Sequence, residues 1–105
     1  MGVASFHVGK YGRIRGAGPA TVISSDVRVS GAFTTSTSAA NLEDSTATDI
    51  IMAVGEILQI HSDEAMRVRF GGVAATASTG LYIPATAQRE IECDEAGLVS
   101  IIDVA

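Results

Sequence analysis

The chain has 105 residues, 47% of them apolar, with 16 Ala, 11 Gly and 19 Ser plus Thr against three Phe, two Tyr and no Trp; that suffices for one small core but not for a two-domain enzyme or a deep substrate cavity. Twelve carboxylates against seven cations give a net charge of −5, which argues against nucleic acid as a partner because phosphate neutralisation needs clustered Lys and Arg. The single cysteine, Cys93, allows no internal disulfide, and the longest strictly apolar run, Ile50 to Val54, falls far short of the ~20 residues of a membrane span, so no membrane partner is expected.

Residues 1–19 carry Lys10, Arg13 and Arg15 with no acid, whereas residues 20–105 carry four cations and twelve acids, a split of +3 against −8. Five glycines and Pro19 in the first stretch make ordering costly in backbone entropy and leave no face to bury. It reads as a glycine-rich basic arm preceding a body of residues 20–105. The opening Met-Gly-Val-Ala-Ser-Phe-His lacks a basic segment followed by an apolar one, so synthesis and folding in the cytoplasm are expected.

Beyond Pro19 the pattern turns to period two. Val27 and Val29 alternate with Arg28 and Ser30, and residues 32–38 supply β-branched and hydroxyl side chains suited to a strand with one wet face. Residues 41–45 read as a turn. In 49–61 the apolar residues also fit helical spacing, with Thr46 and Asp49 as a capping box, but Gly55 and the density of Ile and Val favour two short strands, 49–54 and 56–62. Met66, Val68 and Phe70 alternate with Arg67 and Arg69 up to Gly71-Gly72, and a small-residue loop follows to Gly80. Leu81 and Ile83 flank Tyr82; Ile91 and Cys93 alternate with Glu90, Glu92 and Asp94; residues 98–104 form the last strand. Seven or eight short strands at this spacing predict an all-β, antiparallel, jelly-roll-like β-sandwich with an extended N-terminal arm. Its expected core is Val27, Val29, Leu58, Ile60, Met66, Val68, Phe70, Leu81, Ile83, Ile91, Leu98 and Ile101.

No catalytic set emerges. The only histidines are His7, in the glycine-rich stretch, and His61, whose neighbours Ser62 and Asp63 cannot all share its face of a strand, so a turn-capping role is the better reading. Cys93 shares a phase with Ile91 and reads as a small core residue. The Glu90, Glu92 and Asp94 face lacks the ligand-rich loop of a calcium site, and Gly16-Ala-Gly18 fails the dinucleotide fingerprint. No metal or cofactor is therefore expected, and no enzyme activity. Arg67 and Arg69 face one way, as do Glu90 and Glu92; they are either solvated, paired across neighbouring strands at roughly 0.2–1 kcal/mol per pair, or matched to another molecule.

The run 55–87, with Val68-Arg69-Phe70-Gly71 and Leu81-Tyr82-Ile83-Pro84-Ala85, followed by Arg89-Glu90-Ile91 and Leu98-Val99-Ser100-Ile101-Ile102, resembles small tailed-bacteriophage capsid decoration (cement) proteins of β-sandwich type. The stretch Ala32 to Asn41 is similar to their first strand. The resemblance implies a virion structural protein on the capsid exterior that binds the major capsid protein and bridges its subunits as a homo-oligomer, with a trimer favoured. The rival classes are a phage tail or fibre receptor-binding module and a small ligand-binding or enzymatic sandwich. The residues expected at a partner interface are Lys10, Tyr11, Arg13, Arg15, Arg67, Arg69, Tyr82, Glu90 and Glu92, with the cationic arm drawn to a neighbour's Glu90/Glu92/Asp94 face or to coat protein.

Overall fold

The structure is a computed structural model that describes residues 2–12 and 21–104, with side chains described for 2–10 and 27–104. Among these residues the fold is all-β, with ten strands: β1 (Val3–Gly12), β2 (Thr21–Thr34), β3 (Ala40–Asn41), β4 (Ile51–Met52), β5 (Glu56–Ser62), β6 (Met66–Arg69), β7 (Leu81–Ile83), β8 (Gln88–Glu92), β9 (Gly97–Leu98) and β10 (Ser100–Asp103). One four-stranded sheet runs β2-β1-β5-β8, a second runs β3-β10-β6-β7, and β4 pairs with β9 in a short ribbon. All pairings are antiparallel. Alternate side chains of both sheets meet in one core, with Phe6, Val8, Leu58 and Ile60 from the first and Met66, Val68, Ile83 and Ile101 from the second, so the architecture is sandwich-like.

The expectation of an arm over residues 1–19 is corrected for its first part. Residues 3–12 form β1, which lies inside the first sheet between β2 and β5. Ala4, Phe6 and Val8 are buried while Val3, Ser5 and His7 are exposed, a period-two pattern that the glycine count and basic charge obscured. Residues 13–19, with Arg13 and Arg15, lie outside the described residues. β1 and β2 remain paired to Gly12↔Thr21, two residues beyond the last β1–β5 pair, Lys10↔Glu56.

The stretch 49–61 holds two strands, as expected, but the first is shorter than 49–54, with β4 only Ile51–Met52; Gly55, between it and β5, has φ +95°, a left-handed conformation in which a side chain is strained. Inward positions 58 and 60 carry the apolar residues and 59 and 61 face outward. The residues 98–104 are two short strands, β9 and β10, rather than one. Gly97 separates β8 from this segment at φ +139°, and a Cβ there would lie 3.1 Å from the Gly71 carbonyl carbon, so this crossing of two chain segments requires glycine. Of the expected core, Leu58, Ile60, Met66, Val68, Ile83 and Ile101 are buried, and Val29, Phe70 and Ile91 pack against the core. Val27 and Leu98 are only half-buried, and Leu81 is 50% exposed because β7 is an edge strand. Phe33, Leu42, Ile50, Met52 and Val99 complete the core.

Asp103 sits on the inward phase of β10 opposite Met66, and both of its carboxylate oxygens are buried without a hydrogen-bond partner. A buried polar group left unsatisfied costs about 1–3 kcal/mol, more when charged. Asp103→Asn, which keeps the shape and removes the charge, is expected to stabilise the fold by about 1 kcal/mol, a rise of roughly 4–8 °C in Tm. Thermal unfolding at neutral pH followed by circular dichroism checks this; a lower Tm contradicts it.

Candidate partner-binding grooves

The first groove, of about 570 Å³, lies beside the outer end of the β1–β2 pair and is lined by Lys10, Arg28, Ile51, Ala53, Val54, Gly55 and Glu56. Its centre is an ion pair set up by a β-bulge. Val8 pairs with Val29 and Gly9 with Val27, which leaves Arg28 as the extra residue on β2. Such a bulge re-aims a side chain, and Arg28 reaches the Glu56 carboxylate through two hydrogen bonds, Nε to Oε2 at 2.6 Å and Nη2 to Oε1 at 2.9 Å. Nη2 also donates to the Ile51 carbonyl at 2.6 Å, and the Ala53 N–H donates to Glu56 Oε1 at 2.9 Å. The Arg28 hydrogen bonds hold the Glu56 carboxyl below its ordinary value, against the opposing pull of burial, and Glu56 raises the guanidinium. Since Glu56 neutralises Arg28, Lys10 supplies the net positive charge of the groove. Ile51 and Val54 flank it, each 65% exposed.

The second groove, of about 360 Å³, opens between β6–β7 and β8. Val68, Phe70, Leu81 and Ile91 give it an apolar lining, and Arg69, Glu92, Asp94 and Glu95 give it charge, two acids in excess. The Glu95 carboxylate lies over Gly71, where an added Cβ would meet Oε2 at 2.6 Å. Hydrogen bonds join the rims of the two grooves: Gly55 N–H donates to the Cys93 carbonyl at 2.9 Å and Cys93 N–H to the Glu56 carbonyl at 2.8 Å. The strand order β2-β1-β5-β8 puts the two grooves on opposite sides of β5.

The expected interface residues fall in several places. Arg69 and Glu92 meet in the second groove and Lys10 lies in the first. Arg67 donates to the Ala77 and Gly80 carbonyls at 3.1 and 2.9 Å and stacks 5.4 Å above the ring of half-exposed Tyr82, so it fastens the 71–80 loop to β6 and packs on β7. Glu90 accepts a hydrogen bond from Gln59 Nε2 at 3.2 Å. Pairing of Arg67 and Arg69 with Glu90 and Glu92 across adjacent strands does not occur, because β6 and β8 belong to different sheets. The backbone of Tyr11 pairs with Val22; its side chain, like Arg13 and Arg15, lies outside the described residues.

His61 is not a turn cap. It lies within β5, and the turn is capped by Ser62, whose Oγ accepts the Glu64 N–H at 3.2 Å. His7 and His61 share an outward polar patch with Ser5, Gln59 and Gln88. Cys93 is fully buried and donates to the Glu95 carbonyl at 3.2 Å. Burial pushes its thiol up, which disfavours the reactive thiolate. Among the described residues no three His, Cys, Asp or Glu side chains group as metal ligands.

Arg28, Ile51, Val54 and Glu56 are not among the expected interface residues. Glu56 carried a readable signal, since it falls in phase with inward Leu58 and Ile60 and so required a partner. Arg28 carried none, because strict alternation points it outward and only the bulge turns it back. Comparison with protein-family models, curated proteins and solved structures finds no match for the chain.

Proposed function

We propose that the chain is a non-catalytic virion structural protein, a capsid decoration (cement) protein that binds major capsid protein on the shell exterior. The observation that carries this reading is the clustering of exposed apolar side chains, Ile51, Val54 and Leu81, along two charged grooves on either side of β5. Exposed apolar side chains next to fixed charges suit a protein surface as partner. The sequence resemblance to phage decoration proteins supplies the class of partner. Residues 13–19, with Arg13 and Arg15 between β1 and β2 in the chain, add positive charge that favours an acidic coat surface.

Capsids of the cognate phage prepared with and without the protein test this. Bound protein is expected to co-sediment with the shells and to raise the temperature at which light scattering reports their disruption, because a ligand that binds only the intact shell stabilises it by mass action. Failure to co-sediment, or shells equally heat-resistant without the protein, contradicts the proposal. Attachment to host cells instead of shells assigns the chain to the tail.

A further inference from the structure

We propose that His7 and His61 form a binding site for one divalent transition-metal ion on the outer face of the first sheet. The strand register brings the two imidazoles together. His7 pairs with Gln59 and Ser5 with His61, so the histidines are diagonal neighbours on β1 and β5. Their positions alternate with buried Phe6, Val8 and Ile60, which puts both rings on the face turned away from the core. Diagonal neighbours across an antiparallel pair lie about 7–8 Å apart, within reach of long side chains. Both histidines line one hollow of about 250 Å³, with Ser5, Gln59 and Gln88 around them. Since β1 and β5 are the two central strands of the sheet, the backbone under each ligand is fixed on both sides, as a preorganised site requires.

Imidazole is the commonest metal-ligating side chain, and a neutral ring carries one unprotonated nitrogen for the ion. Both rings are uncommitted: among the described residues neither makes a hydrogen bond or ion pair. No Lys or Arg among the described residues lines the hollow, so no fixed positive charge opposes a dication there. Glu90, paired with Gln59 on β8 and hydrogen-bonded to its Nε2 at 3.2 Å, adds negative charge to the same face. Nitrogen donors select Cu²⁺, Ni²⁺ and Zn²⁺ over Ca²⁺ and Mg²⁺, which take oxygen ligands. Two protein ligands fall short of the three-residue groups that are absent among the described residues, so water fills the remaining positions and the bound ion is an exchangeable one. It would clip β1 to β5 on the face opposite the core.

This inference is independent of the capsid reading, and its test uses the full chain without an affinity tag. Equilibrium dialysis against Cu²⁺, Ni²⁺, Zn²⁺ or Ca²⁺ alone is expected to give one ion per chain for the transition metals, with Cu²⁺ bound most tightly, and no uptake of Ca²⁺. His7→Ala and His61→Ala are each expected to weaken Ni²⁺ binding about tenfold, and the double variant to be little weaker than either single, because the two rings hold the ion as one unit. His7 is exposed and His61 half-buried, so the metal-free variants are expected to keep the parent Tm. Added Ni²⁺ raises the Tm of the parent by mass action, and each single variant loses that rise. In the parent, electron paramagnetic resonance of the Cu²⁺ complex is expected to show coupling to two imidazole nitrogens. No uptake of transition metal, two independent ions per chain, single variants that bind Ni²⁺ like the parent, coupling to one imidazole alone, or equal uptake of Ca²⁺ overturns the proposal.

Discussion

Phe6→Ala is expected to cost about 3–5 kcal/mol of folding stability, the range for emptying a buried phenylalanine site. Phe6 is 1% exposed, and its ring lies over Gly31, the residue paired with it on β2, at 3.6 Å from where a Cβ there would be. It also belongs to the core cluster that joins the two sheets. Neighbours on β1 and β5 are held by ladder hydrogen bonds, which limits how far the site can collapse around the void. Against a total stability of about 5–15 kcal/mol, the loss leaves a marginal fold. Denaturant unfolding reports it as a lower midpoint at unchanged slope. The same substitution in a loose terminal arm would leave the midpoint where it was, so the measurement also decides whether residues 3–12 belong to the body.

Arg28→Ala is expected to cost about 1–3 kcal/mol at neutral pH, between the values for surface and fully buried ion pairs. The placement between these limits follows from exposure: the side chain of Arg28 is 44% exposed and solvent screens it, whereas that of Glu56 is 11% exposed and is left without its partner. The pH dependence has a defined sign. Hydrogen bonds from Arg28 lower the folded-state value of Glu56 below its ordinary 4.5, so the stabilisation is fully present above that value and is lost as pH falls through the folded value. The stability gap between parent and variant is therefore expected to be constant near neutrality and to close under acid conditions. Glu56→Ala in the Arg28→Ala background is expected to cost less than in the parent, the coupling that a double-mutant cycle isolates. A gap that persists unchanged in acid contradicts the ion-pair account.

The fold was legible where one face of a strand is apolar and the other polar. Met66, Val68, Leu58 and Ile60 follow strict alternation and are buried, and Gly55 marked the break between β4 and β5 correctly because its φ of +95° suits glycine. β1 was not legible, since Ala4, Phe6 and Val8 alternate among residues whose glycines and cations dominate any composition window. Leu81 follows the same alternation as Ile83, yet it is half-exposed; sequence period gives the face of a strand but not its place at a sheet edge. Half of the candidate site was hidden for a related reason. Arg69 and Glu92 were recognisable as charges on strands and Lys10 only as a cation of an expected arm, whereas the groove at Arg28 depends on a one-residue bulge, and a bulge reverses the facing that period two assigns.

The central claim, that this chain binds coat protein on the outside of a shell, is tested most directly by a cryo-microscopy map of the native particle. The account predicts density for the two-sheet body on the shell exterior, in contact with coat subunits. A map with this fold at the tail tip or fibre, or with the shell exterior bare while the protein is present in the particle, would contradict it.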